Sequence, residues 1–284
     1  RIFGTDKEKK VIKNLNNKII HLQEPNLELI LKSGLANKRI FFREQLTESE
    51  TYIICFGTED GKKINNINLL NFIKSLCKIL KKKDLIILRG TMGIGATRQV
   101  EKLKKKIKKF KAGEDYFLSY SPERIVEGNA MQELKTIPQI VSGCTDKCLE
   151  EASSFWKIFI KEIVETENHY EAEIIKLINN SYRLYSFSFS NLVSLLSEKY
   201  NINSNKLLEK ANYGYPRNKL NMPSVGIGGF CLLKDFNILG QSSSNGIIIN
   251  SSRIINKINS KIIESPLRAI KNFEKKMKKK IKSI

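Results

Sequence analysis

The chain has 284 residues, 41% of them hydrophobic, and its 50 Lys and Arg outnumber 29 Asp and Glu for a formal net charge of +21. That size and balance allow two packed domains and exclude a disordered or low-complexity chain. No apolar run nears the roughly 18–20 residues that cross a bilayer, and Arg1-Ile2-Phe3-Gly4 leads into a polar stretch unlike a secretion signal, so a cytoplasmic protein without a membrane partner is expected.

In chain order, Ile2-Phe3-Gly4-Thr5-Asp6 reads as the end of a strand closed by an acid. A dinucleotide-binding domain opens with a strand, a G-x-G-x-x-G turn, a helix and a second strand whose terminal acid meets the adenosine ribose. No G-x-G-x-x-G occurs, so the first strand, glycine turn and helix are expected to be missing. Strands are predicted at Tyr52–Phe56, Asp84–Leu88, Tyr116–Ser119, Ile140–Ser142 and Ile163–Glu165, alternating with helices at Ile67–Leu80, Thr97–Phe110 and Asp146–Phe159. This alternation is the mark of a parallel, doubly wound α/β (Rossmann-like) sheet with crossover helices. Within the second of these helices, Lys104-Lys105-Lys106 and the lysines up to Lys111 accompany Leu103, Ile107 and Phe110 at helical spacing. The run is expected to be a solvated face over an apolar underside, which disfavours a nucleic-acid partner.

From His169 the pattern turns helical, with Ala172, Ile175, Ile178 and Tyr182 on one stripe, and it resumes over Ile247–Ile258 after the loop Pro223–Gly229. The expected organisation is a partial nucleotide-binding domain over 1–167, a helical central domain over 168–262, and a remnant of a third domain over 263–284. Five cysteines without small-secreted-domain spacing, and only two histidines, His21 and His169, predict neither a disulfide framework nor a metal site.

Three constellations could carry chemistry, the plainer readings being a glycine-rich turn with a buried cysteine for the first and a solvated polar stripe for the second. In Gly226-Ile227-Gly228-Gly229-Phe230-Cys231-Leu232-Leu233-Lys234-Asp235, glycines let the backbone approach a ligand, and a thiol, the best side-chain nucleophile near neutral pH, is followed by a cation and a carboxylate. Lys176, Asn180, Arg183 and Phe187 share a helix face, and a lysine one turn from an amide suits a developing oxyanion. Ser121-Pro122-Glu123-Arg124-Ile125 lies at the carboxyl end of a predicted strand, where open α/β sheets bind ligands.

Together with Leu15-Asn16 and Glu24-Pro25-Asn26-Leu27, these segments resemble the UDP-glucose/GDP-mannose dehydrogenase family, and Ser-Pro-Glu-Arg-Ile with Tyr215-Pro216-Arg217 resembles its UDP-N-acetylhexosamine branch. The resemblance implies two NAD-dependent oxidations of a UDP-sugar C6 alcohol to the carboxylate through a Cys231 thioester. It implies that Lys176 and Asn180 stabilise the oxyanion, that Asp235 assists proton transfer or holds Lys176 and the water, and that Glu123 positions or activates water. NAD would meet Asp6, Thr58, Thr91, Glu123 and Lys234, the sugar would meet Lys176, Asn180, Arg217 and Gly228, and the partner would be a second copy in a homodimer. The chain departs from the family pattern at Leu233, at Leu192 and around Phe56-Gly57-Thr58-Glu59. The competing expectation is a degenerate dehydrogenase fold kept for binding or scaffolding, or a basic nucleic-acid-associated protein.

Overall fold

The structure is a computed structural model. It describes the chain except for His21, Gly57, Thr58, Gly61, Lys62, Gly228, Gly229, residues 243–245, Lys279 and residues 282–284. Two compact units are present, residues 1–60 with 64–176, and residues 61–63 with 177–284.

The first unit follows the strand and helix alternation of the sequence. Its elements are β1 (Ile2–Thr5), α1 (Lys9–Asn16), α2 (Leu27–Ala36), β2 (Ile40–Arg43), β3 (Thr51–Ile54), the short paired β4 (Glu59–Asp60) and β5 (Lys63–Ile64), α3 (Ile67–Ile79), β6 (Leu85–Leu88), α4 (Ala96–Lys108), β7 (Phe117–Tyr120), α5 (Ala130–Thr136), β8 (Gln139–Val141), α6 (Asp146–Lys157) and β9 (Ile163–Glu165). Every strand pair with a defined register is parallel: β1 with β2, β3 with β6, β6 with β7, and β8 with β9. Parallel neighbours need crossover connections, which α3 and α4 supply between β3, β6 and β7. A strand covered on both faces is apolar throughout, and Leu85–Leu88 is buried at all four positions. The chain after β8 bonds back to β7, from Ser142 N to Tyr120 O (3.1 Å) and from Cys144 N to Leu118 O (3.1 Å).

The Rossmann-like domain therefore has its parallel strands, and β1 pairs along one edge only among the described residues. Its exposure matches: Ile2 is 65% exposed, a poor state for an apolar residue of a parallel sheet.

One expectation is corrected here. Lys104 is not part of a solvated face; it is completely buried, while Ile107, assigned to the underside, is 44% exposed. The inward stripe of α4 runs Ala96, Thr97, Val100 and Lys104, one position out of phase with the apolar spacing around Ile107. The Lys104 ammonium lies 3.9 Å from the centre of the Tyr116 ring, so a cation–π contact takes the place of solvent.

The second unit is helical: the continuation of α7 (His169–Lys199), then α8 (Ser204–Asn212), α9 (Phe230–Ser242), α10 (Gly246–Ile263) and α11 (Ser265–Met277). Leu184, Ile227, Phe236 and Ile255 form its apolar centre. Serines on the inner face of α7 are tolerated because each hydroxyl donates to its own helix, Ser181 to Leu177 O and Ser188 to Leu184 O, both at 2.7 Å.

Candidate active site

In the second unit the site begins on α7 and α9. Cys231 sits in the first turn of α9 with an exposed thiol. One turn on, the Asp235 side chain is fully buried, accepts a hydrogen bond from Asn180 Nδ2 at 2.5 Å, and lies 3.4 Å from Lys234 Nζ. A buried carboxylate is stable only when its charge is compensated, and here an amide bonds one oxygen while an ammonium stands beside the other. Asn180 keeps a second amide hydrogen and a carbonyl oxygen for other partners. Lys176 lies one turn before Asn180 on α7.

The loop that leads to Cys231 is held by two asparagines that sequence reasoning did not single out. Asn191 Oδ1 accepts from Ser224 N (2.9 Å), and Asn259 Oδ1 accepts from Ile227 N (2.5 Å). Both asparagines are buried, so these bonds fix the loop against α7 and α10. Gly226 turns at φ +95°, and a Cβ there would meet Ile263 at 2.6 Å. Gly228 and Thr58 lie outside the described residues. Arg217 is exposed and donates to the Tyr215 hydroxyl at 3.2 Å.

In the first unit the second cluster stands at the carboxyl ends of β6 and β7. Arg89 is almost entirely buried, stacks 4.6 Å from the Trp156 ring centre, donates to Gln139 Oε1 (3.0 Å), and forms a close ion pair with Glu123. The other Glu123 oxygen accepts from Arg124 N (2.8 Å) and Ile125 N (3.0 Å). Both Glu123 oxygens thus help to hold the loop. Glu127, four residues on, is exposed and makes no hydrogen bond or ion pair among the described residues. Sequence reasoning passed over it, although its spacing of four from Glu123 was readable. Thr91 follows β6 and is half-buried.

Asp6 is exposed at the end of β1, where its Oδ1 accepts from Glu8 N at 2.8 Å. It lines a cleft of about 670 Å³ with Thr5, Lys7, Glu44, Leu46, Phe56, Asn68 and Phe72. Among the described residues no group of three or more His, Cys, Asp or Glu could hold a metal ion, and no helix is long and apolar enough to cross a membrane.

The NAD binding domain of the UDP-glucose/GDP-mannose dehydrogenase family matches residues 1–160, and the central domain of that family matches residues 170–261. Among curated relatives, a UDP-N-acetyl-D-mannosamine dehydrogenase of Pyrococcus horikoshii is 28% identical over 90% of this chain and 62% of its own length. Its counterpart in Campylobacter jejuni is 29% identical over 98% of this chain and 69% of its own length. The solved structure of UDP-D-ManNAc dehydrogenase from Pyrococcus horikoshii superposes with a TM-score of 0.90 at 26% identity, covering 98% of this chain and 66% of that one. The Staphylococcus aureus UDP-N-acetyl-mannosamine dehydrogenase gives 0.80 at 25% identity, covering 96% of this chain and 64% of that one. The chain thus spans about 62% of the length of the Pyrococcus relative. On the match of both domains over most of its length, the chain belongs to the UDP-glucose/GDP-mannose dehydrogenase family.

Proposed function

We propose that the chain carries the catalytic machinery of an NAD-dependent nucleotide-sugar 6-dehydrogenase acting on a UDP-N-acetylhexosamine. The observation that carries this reading is the pair formed by the exposed thiol of Cys231 and the buried Asp235–Asn180 couple one turn below it.

The cofactor fits at one end. The cleft at Asp6 offers a carboxylate for ribose hydroxyls and the apolar Leu46, Phe56 and Phe72 for a purine. NAD, when bound, takes up the hydride that the sugar C6 loses in each of two oxidations. Cys231 Sγ adds to the C6 aldehyde left by the first oxidation, and the resulting thiohemiacetal becomes a thioester when the second hydride leaves. The Lys176 ammonium and the free Asn180 amide hydrogen stabilise the C6 oxyanion, with Asp235 fixing the orientation of that amide. Water then cleaves the thioester, giving the carboxylate and returning the thiol. On this reading Glu123 positions or activates that water, and the exposed Glu127 of the same loop is a second carboxylate able to receive its proton. Thr91, Thr58 and Lys234 complete the cofactor contacts, and Arg217 and Gly228 those of the sugar. The working assembly is a homodimer.

The test is Cys231→Ser, assayed with saturating NAD and UDP-N-acetylmannosamine against the parent chain. The parent should form two NADH per acid with no free aldehyde. The variant should lose acid formation at least a hundredfold at an unchanged melting temperature, because an oxygen ester forms and hydrolyses differently from a thioester. Acid formation by the variant within a few-fold of the parent would overturn the mechanism.

A further inference from the structure

The loop between β7 and α5 carries Glu123 and Glu127, and its backbone is held by carboxylates. Arg124 N and Ile125 N donate to Glu123, Val126 N donates to Glu133 Oε2 at 2.7 Å, Gly128 N donates to Glu24 Oε1 at 2.5 Å, and Ala130 N donates to Glu24 Oε2 at 3.1 Å. Glu123 and Glu133 belong to the same stretch of chain as the loop and shape it locally. Glu24 does not; it stands 104 residues before Gly128, in the linker from α1 to α2.

The position of these bonds gives Glu24 a particular task. Asn129 occupies the N-cap of α5 but makes no capping bond with its side chain. Glu24 supplies the missing acceptor from outside and spans both donors with its two oxygens. A carboxylate at a helix N-terminus also meets the positive end of the helix dipole. Gly128, at φ +89°, makes the turn that points its N–H toward Glu24. The linker that holds Glu24 follows β1 and Asp6, so a single side chain joins the half of the first unit with the nucleotide cleft to the loop at the end of β7.

We infer that Glu24 is a positioning residue that sets the β7–α5 loop, and through it Glu123 and Glu127, by capping α5 from the α1–α2 linker. The inference rests on the proposed function for the consequence in turnover, and on hydrogen bonding alone for the consequence in structure. Removing Glu24 leaves the loop shaped locally but free to shift as a body, so reaction should suffer more than binding.

The experiment compares the parent chain with Glu24→Ala and Glu24→Gln by amide hydrogen exchange, melting temperature and steady-state kinetics with NAD and UDP-N-acetylmannosamine. In Glu24→Ala the Gly128 and Ala130 amides should exchange at least tenfold faster while those of β6 and β7 keep their protection. Glu24→Gln, which keeps one acceptor oxygen, should fall between. The kcat of Glu24→Ala should drop at least tenfold with KM for NAD within twofold, and Glu24→Gln should recover part of it. Unchanged exchange at Gly128 and Ala130, equal loss across β6 and β7, or faster loop exchange with unchanged kcat would each overturn the inference. If the parent oxidises no UDP-sugar, the proposed function fails, and the exchange comparison alone decides for or against the Glu24 cap.

Discussion

Lys104 shows how a single residue departs from what its neighbours in sequence suggest. Its ammonium has no hydrogen-bond acceptor among the described residues, and burial holds it down to about 8, well below the ordinary lysine range. The sign of the consequence follows from proton counting. Between about pH 8 and the ordinary lysine range the unfolded chain keeps a proton that the folded chain has released, so stability from this group rises with pH across that window. Below it, the folded chain carries the full cost of a buried ammonium. The contact with the Tyr116 ring offsets only part of that cost. Lys104→Met keeps the length of the stem and removes the charge. It should raise stability at pH 7 by about 1–3 kcal/mol and flatten the rise above pH 8, both measurable by urea unfolding across the pH range. A variant less stable than the parent at pH 7 would show that the ammonium stabilises the core rather than burdening it.

Two helices of the first unit share an arrangement that elements, not residues, reveal. Both α4 and α5 begin at residues, Gly95 and Asn129, that give no side-chain cap, and each is closed by a carboxylate from far along the chain. For α4 it is Glu173 of α7, completely buried, which accepts from Gly95 N (2.6 Å), Thr97 N (3.0 Å) and Thr97 Oγ1 (2.7 Å). Burial raises the Glu173 carboxyl above its ordinary range, and the three donors pull it back only in part. A raised acid adds stability that is complete below its unfolded pKa and fades as pH climbs through its folded one, so this group weakens the fold on going from acid toward neutral pH. Glu173→Gln should remove that slope and change stability at pH 7 by less than about 1 kcal/mol, since an acceptor oxygen remains. Glu173→Ala should cost about 2–4 kcal/mol, because three buried donors lose their acceptor. Equal effects of the two variants in thermal or urea melts would mean that side-chain volume rather than capping is what Glu173 provides. Of the two, α4 was legible in the sequence while its anchoring was not, and the short α5, whose cap also comes from afar, was not predicted at all. Periodicity located α4 to within two residues, but the partner acid is more than 70 residues away and is defined only once the sheet has formed.

At the scale of the whole chain the same division holds. Cys231 with Asp235 on α9, and Lys176 with Asn180 on α7, could be singled out as candidates because each spacing is local, though the Asn180–Asp235 bond across 55 residues could not, and the alternation of β-branched runs with amphipathic stretches was enough for the parallel sheet. The pairing of Glu123 with Arg89, 34 residues before it, and the asparagines that fix the loop before Cys231 could not, because only folding brings them together. The outer face of α7 is the last feature of this kind. Tyr182, Tyr185, Phe189, Leu192 and Leu196 recur every three or four residues along one side of the helix and are all exposed, Tyr182 to 75%. Leu177 and Leu184 share its inner face with serines and Asn191. A continuous apolar stripe of this length on a water-facing helix is unstable unless covered, and a stripe along a single straight element suits a two-fold contact with its own copy. The chain should therefore sediment as a dimer at micromolar concentration. Phe189→Asp with Leu196→Asp, which places charges in the stripe without touching Leu184 or Asn191, should give a folded monomer with an unchanged helical circular-dichroism signal. A parent chain that sediments as a monomer, or a double variant that stays dimeric, would move the contact off α7.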